Sequence, residues 1–403
     1  MLHIKPILSS LLRSKSGPLL LLIQIILSVA IVANASFIIH ERLALMSRDS
    51  GIAEEEILSF NVYNFDPSMD MAQQNKQDQQ ILRALPGVIS ASSTNMLPLS
   101  GGGWMDRLVD GPDVETAKST PGFAFYLGNE QMVDTLGVKI VEGRNFFAEE
   151  IRSSPAESGI LALVSKPLAQ AFWGEESPVG KIMYQGTDQQ VEIIGVIEQL
   201  QGAWVDHRNF EYSVIANVDW GGQGANSSYM VRAGAAALPG LKDSIIAALH
   251  RENPNRVIDN FKTIAEHRAS SYRDHELMVT ILSMMVVLLL LITSLGLAGM
   301  VMFNIERRTK QIGTRRALGA RKRDIMSYFL VENYLICLAG GILGALLAVL
   351  LGQQLMKFYS LPKLELIYPL LTLAGLLLVT TMAVFFPARK AADISPALAT
   401  RSV

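Results

Sequence analysis

Four long apolar runs constrain this chain more than any other feature. Residues 18–40, 277–303, 325–351 and 367–386 each have about the 20 residues a helix needs to cross a bilayer. A chain with four such runs is expected to fold as an α-helical membrane protein. Between the first two runs, residues 41–276 contain no span and have the composition of a folded, water-facing domain. Between the second and third lies the short segment 306–324, ERRTKQIGTRRALGARKRD. It carries Arg307, Arg308, Lys310, Arg315, Arg316, Arg321, Lys322 and Arg323 against Glu306 and Asp324. A short basic loop between spans belongs on the cytoplasmic side. Lys5, Arg13 and Lys15 before the first run, and Arg389, Lys390 and Arg401 after the last, put both termini there too. The large domain is then extracytoplasmic.

The remaining segments complete this plan. Residues 1–17 form an amphipathic cytoplasmic start, 304–324 the cytoplasmic loop, 352–366 a short external loop and 387–403 a cytoplasmic tail. Ala33-Asn34-Ala35 offers a signal-peptidase site, but the apolar run continues through Phe37, Ile38 and Ile39, so an uncleaved anchor is expected. The formal charge of −2 argues against a nucleic-acid partner. The lone Cys337 lies in an apolar run and is expected to pack as a small hydrophobe.

Alternation, turn residues and caps give the domain a mixed α+β reading. Strands are expected at 60–63, 88–93, 123–127, 159–164, 191–197, 212–218 and 229–233. Helices are expected at 72–85 (on the surface), 130–136, 166–173 (capped by Ser165) and 241–252, with a polar helical stalk at 260–276.

Catalytic signatures are missing. The segment from Gly174 to Ile182 resembles a phosphate-binding loop, but its spacing is one residue too long and Ile182 cannot ligate magnesium. His3, His40, His207, His250, His267 and His275 form no metal pair at helical spacing, and no Gly-x-Ser-x-Gly elbow is present. Neither an enzyme site, a metal nor a cofactor is expected in this chain. Two other patterns stand out. Gly340, Gly344, Ala348 and Gly352 recur every four residues, and Gly296 and Gly299 lie close together, so these small residues let helices approach. Glu332, inside the third run, calls for a cationic partner such as Arg307 or Arg308.

The loop is too apolar at Ile312, Ala317, Leu318 and Ala320 to be only a topology signal; these residues suit a short amphipathic helix lying against something else. Arg308-Thr309-Lys310-Gln311-Ile312-Gly313, continuing through Arg315, Arg316-Ala317-Leu318-Gly319-Ala320, resembles the loop of MacB/FtsX-type ABC transporter permeases. Glu142-Gly143-Arg144-Asn145-Phe146, Ser177-Pro178-Val179-Gly180-Lys181 and Ile194-Gly195-Val196-Ile197 resemble motifs of the family's external core domain. Pro387-Ala388-Arg389 and Asp393-Ile394-Ser395-Pro396-Ala397-Leu398 resemble its C-terminal end. Gln311 and Thr314 depart from the family's usual Glu and aliphatic residue.

The resemblance implies a bacterial inner-membrane permease with a periplasmic domain, paired with a second copy or a related permease. Separate cytoplasmic ABC ATPase subunits would hold ATP and magnesium, because this chain begins at its first span. Their motion would pass through the loop to the periplasmic domain and drive export (mechanotransmission), with a membrane-fusion adaptor and outer-membrane duct as further partners. The same layout also suits a lipoprotein-releasing permease or an FtsX-like regulator of a periplasmic hydrolase. On this reading, Asp at Ile312 and Leu318 uncouples ATP hydrolysis from transport without disturbing the fold.

Overall fold

The structure, a computed structural model, describes residues 16–394 except 67, 114, 115, 223–225 and 359–361. Residues 1–15 of the expected N-terminal segment, the Ser395-Pro396-Ala397-Leu398 motif, and Arg401 with the end of the tail lie outside the described residues. The chain runs through α1 (Ser16–Met46), β1 (Ile57–Asn64), α2 (Met71–Arg83), β2 (Val88–Thr94), β3 (Met105–Asp106) and β4 (Phe123–Leu127). Next come α3 (Met132–Leu136), β5 (Ile140–Gly143), β6 (Ile160–Ser165), α4 (Lys166–Trp173), β7 (Ile182–Gln185), β8 (Gln189–Ile197) and β9 (Ser213–Ala216). It ends with β10 (Asn226–Ala233), α5 (Leu238–Glu252), β11 (Arg256–Thr263), α6 (Ile264–Arg307), α7 (Thr309–Ala317), α8 (Lys322–Phe358) and α9 (Ile367–Ala392). Two units result: Met1–Met46 with His275–Val403, and Ser47–Asp274.

In the first unit α1, α6, α8 and α9 are long and apolar enough to cross a membrane. The protein is therefore a four-span helical membrane protein with an α+β domain between its first two spans. Helix α1 is the most covered of the four and α6 the least. Apolar cores form in layers along the bundle. Leu21, Ile25, Val29, Leu297, Ile336, Cys337 and Leu376 make one, and Cys337 packs there with its Sγ 3.0 Å from Thr380 Oγ1.

The second unit holds two sheets. The first is antiparallel, in the order β11-β1-β10-β2. Helices α2 and α5 pack on it through Leu82, Leu241, Ile245 and Leu249 against Phe60, Val62, Tyr229 and Val231. The second is mixed, ordered β3-β4-β9-β6-β8-β5, with β7 also on β8; β4–β9 and β6–β8 run parallel. Strand β6 lies inside it, so Ile160, Ala162, Leu163 and Val164 are all buried, as expected where both faces are covered.

Three local expectations are corrected. The expected polar stalk begins as a strand: β11 pairs with β1 from Asn64↔Arg256 to Leu58↔Thr263. As an edge strand it lacks the alternation that a half-buried strand shows. The helix starts only at Ile264, with Thr263 N donating to Glu266 Oε2 and Glu266 N to Thr263 Oγ1, a reciprocal cap. Helix α2 exposes Gln73, Lys76 and Gln80 as a surface helix should, but part of its polar side is not solvated, because Asn75, Asp78 and Gln79 are buried alongside Leu82. Ser165 makes no side-chain cap; its Oγ donates to Glu211 O and accepts from Ser213 N, tying α4's start to β9.

Asp78, on the buried face of α2, is satisfied by specific partners. Arg256 Nη1 donates to both oxygens of Asp78 at 2.8 Å, with both side chains fully buried. Tyr229 Oη donates to Asp78 Oδ2 at 3.1 Å. Burial, and then the Asp78 charge, push the Tyr229 phenol well above its ordinary pKa.

Candidate functional site

Helix α6 ends at Arg307, and Arg308 (φ −107°, ψ 13°) breaks the chain's direction before α7. Gly319, at φ +93°, then turns the backbone in a left-handed conformation that side chains resist. Arg321 N donates to Asp324 Oδ2 at 2.9 Å at the start of α8, a carboxylate where the helix dipole favours one. The basic loop is thus a nine-residue helix between two defined breaks.

One face of α7 is used within the chain. Ile312, 5% exposed, packs with Val301 of α6, Ile325 and Phe329 of α8, and Val384, Ala388, Ala391 and Ala392 of α9. Gly313 is buried beside it. Leu318, grouped with Ile312 by the sequence, points away and is 83% exposed. Gln311, Arg315, Ala317 and Gly319 are exposed, while Thr309, Arg316 and Ala320 are half-buried. The expectation that Asp at 312 leaves the fold intact is corrected: it would put a carboxylate into this apolar cluster.

The ionic partners also separate. Arg308 Nη1 donates to Glu332 Oε2 at 3.0 Å, whereas Arg307 lies over the Phe303 ring, 5.4 Å from its centroid. Arg315 lies over Tyr328 at 5.0 Å. At the far side of the loop, Lys322 donates to Asp393 and holds its carboxyl below the ordinary value.

The glycine stripe of α8 faces α1. A Cβ at Gly340 would lie 2.7 Å from Ile25 Cγ2, and one at Gly344 would lie 2.8 Å from Ile26 O. Ala348 packs with Ala30 and Ala33. Asn34 Nδ2 donates to Ala348 O at 3.1 Å, and a Cβ at Gly352 would meet Asn34 Oδ1 at 2.7 Å. On α6 the two glycines differ: Gly296 faces Gln24 of α1, but Gly299 meets nothing within 4 Å.

The motifs of the domain converge on one corner of the second sheet. Gly143, at φ +76°, lies where a Cβ would be 2.2 Å from Ile194 O, so the backbones of β5 and β8 touch. Gly180 N donates to Ile193 O at 2.7 Å, and Ile193 N to Lys181 O at 3.0 Å. Glu142 accepts from Ser177 Oγ. Arg144 grips Glu150 through two bonds, 2.8 and 2.7 Å, which hold the Glu150 carboxyl below its ordinary pKa. The segment from Gly174 to Lys181 is the turn from α4 into β7. Glu150 had no signal in the sequence, because it meets Arg144 only through the turn.

A family model for the MacB-like periplasmic core domain matches residues 20–248, more than half of the chain, and one for the FtsX-like permease C-terminal matches residues 283–396. The chain belongs to the MacB/FtsX-like permease family. Among its relatives is the macrolide export ATP-binding/permease protein MacB of Mannheimia succiniciproducens. The two are 24% identical over 398 residues, covering 96% of this chain and 59% of that protein. MacB of Vibrio parahaemolyticus is 27% identical over 270 residues, covering 64% of this chain and 40% of that one. This chain therefore spans 59% of the length of the first of these relatives and 40% of the second. The periplasmic region of MacB from Actinobacillus actinomycetemcomitans is similar at TM-score 0.32 and 15% identity, over 54% of this chain and 94% of that one. The extracellular domain of the noncanonic ABC-type transporter YknZ gives TM-score 0.32 and 13% identity, over 50% and 100%.

Within this MacB/FtsX-like permease, the residues missed by sequence reasoning are those that seat α7. Ile325, Tyr328 and Phe329 lie on α8 at the helical spacing that also brings round Glu332, the one member of this face the sequence singles out, and that spacing was the available signal.

Proposed function

We propose that this chain is the permease of an ABC exporter working by mechanotransmission. The observation that carries the reading is the division of labour on the 308–320 loop. Ile312 anchors α7 to the ends of three spans, while Leu318 stands exposed among basic side chains as a contact for another protein. A partner that grips Leu318 moves α7, and α7 moves the spans with it. The partner is a cytoplasmic ABC ATPase subunit, which supplies ATP and magnesium. The positive-inside rule puts this loop and both termini in the cytoplasm, in the bacterial inner membrane, with the domain periplasmic. Helix α6 is continuous over 44 residues, a covalent route from the domain's last strand to the loop. A second permease, identical or related, completes the pair, and a membrane-fusion adaptor with an outer-membrane duct receives the cargo.

A second reading is release of lipidated proteins. A groove of about 380 Å³ lies between α1, α6 and α9, walled by apolar side chains such as Val32, Val286 and Leu290, with hydroxyls from Ser28, Ser36, Tyr368 and Thr372. Its size and polarity suit an acyl chain.

The test is affinity purification of the tagged chain in mild detergent, with crosslinker and an ATP analogue, followed by mass spectrometry. Recovery of an ABC ATPase supports the permease reading. An adaptor beside it favours export, and a lipoprotein favours release. Recovery of the chain alone overturns both.

A further inference from the structure

The apolar anchor at Ile312 is non-directional and by itself would let α7 roll or slide on the spans. Directional contacts close on α8 from both ends of α7. At the N-terminal end, Arg308 Nη1 donates to Glu332 Oε2 at 3.0 Å and to Tyr328 Oη at 3.3 Å. Near the C-terminal end, Arg315 lies over the ring of the same Tyr328, 5.0 Å from its centroid. Tyr328 and Glu332 are one helical turn apart and share a face of α8. Tyr328 is in turn backed edge-on by Phe329, with ring centroids 5.7 Å apart. Glu332 is 2% exposed, and its Oε1 has no hydrogen-bond partner among the described residues, so its accommodation rests on Oε2 and Arg308. A carboxylate so placed is tolerated only with its cation in register, which makes the pair sensitive to the position of α7.

We infer that Arg308, Glu332, Tyr328 and Arg315 form a clasp that fixes the orientation of α7 on α8. Arg308 and Glu332 are then positioning residues, through which a push on the loop turns into movement of the third span. This rests on the reading of the loop as the receiver of motion, but the clasp itself can be measured without an ATPase.

The experiment is hydrogen exchange of the full-length chain in lipid nanodiscs, as wild type, Glu332→Gln, Arg308→Gln and the reversed pair Arg308→Glu with Glu332→Arg. Each single variant should speed exchange at residues 309–317 by about 10- to 100-fold, the worth of a charge-assisted hydrogen bond. Exchange in the middle of α8 should stay unchanged, and the reversed pair should return the loop toward wild type. Glu332→Gln keeps the side-chain volume and removes the charge, so it remains informative if Arg308→Gln fails to insert. Unchanged exchange at 309–317 in inserted Glu332→Gln overturns the clasp, as does equal acceleration along the whole of α8. Where the ATPase co-purifies, Glu332→Gln should retain it yet move less substrate per ATP, and the reversed pair should restore the ratio. Loss without restoration also overturns the proposal. If no ATPase binds the wild type, the permease reading fails, and the exchange data still decide the clasp.

Discussion

The contrast between Ile312 and Leu318 is the sharpest consequence of the fold. Ile312 is 5% exposed inside a cluster drawn from α6, α8 and α9. Truncating such a buried Ile to Ala costs about 2–5 kcal/mol, as lost transfer energy plus the cavity left behind. For the membrane unit this amounts to a fall of about 4–20 °C in Tm. Leu318 is 83% exposed, so its truncation should change stability by no more than about 0.5 kcal/mol. If Leu318 is the plug for the ATPase, the same change removes about 1–3 kcal/mol of binding, or roughly 5- to 150-fold in Kd. Purified Ile312→Ala and Leu318→Ala chains would be heated in detergent and scored for monodisperse protein, with ATPase recovery measured in parallel. Ile312→Ala should melt early. Leu318→Ala should melt like wild type and lose its partner. Equal Tm values in the two variants, or undiminished ATPase recovery with Leu318→Ala, would refute the division of the loop into an anchoring face and a contact face.

Two further outcomes test the packing. Gly344→Val should weaken the α1–α8 contact and lower thermal stability in detergent by about 1–3 kcal/mol, because its side chain meets the Ile26 backbone at 2.8 Å. Gly299→Ala, where a Cβ meets nothing within 4 Å, should be neutral or stabilise by up to about 1 kcal/mol through helix propensity; a reversed order of the two variants would show that the stripe does not pack as described. In the domain, Arg256→Met leaves Asp78 buried without its cation and should cost about 3–5 kcal/mol, read by denaturant unfolding of the full-length chain. Adding Asp78→Leu should recover much of that loss, and a double variant as unstable as the single one would sink this account of the pair.

The resemblance motifs illustrate how far residue patterns carry. Glu142-Gly143-Arg144, Ser177-Pro178-Val179-Gly180 and Ile194-Gly195-Val196 were separate words in the chain, and the structure joins them into one corner where β5, β7 and β8 meet. Strands β5 and β7 were not legible. They are four residues each, and β5 is largely exposed, so neither period nor composition distinguishes them from turns. The polar side of α2 was misread for a related reason. Asn75, Asp78 and Gln79 look solvated until Ser93, Asp219, Tyr229 and Arg256, all distant in sequence, arrive to hydrogen-bond with them.

Local composition alone determined the four spans and the water-facing domain between the first two, because bilayer thickness and unsatisfied backbone polarity leave an apolar run of that length little choice. It also suggested a short helix in the loop, from the apolar Ile312, Ala317, Leu318 and Ala320, although the helix itself ends at Ala317. Which side of that helix is spent inside the chain was decided only in three dimensions. Val301, Phe329 and Val384 come from three different helices and converge on Ile312, whereas Leu318 is left exposed by the described residues. Likewise Arg307 and Arg308 are equivalent as letters, and the break in the chain at Arg308 aims one of them at Glu332. Burial and pairing are properties of several segments at once, so a pattern read along one segment cannot contain them.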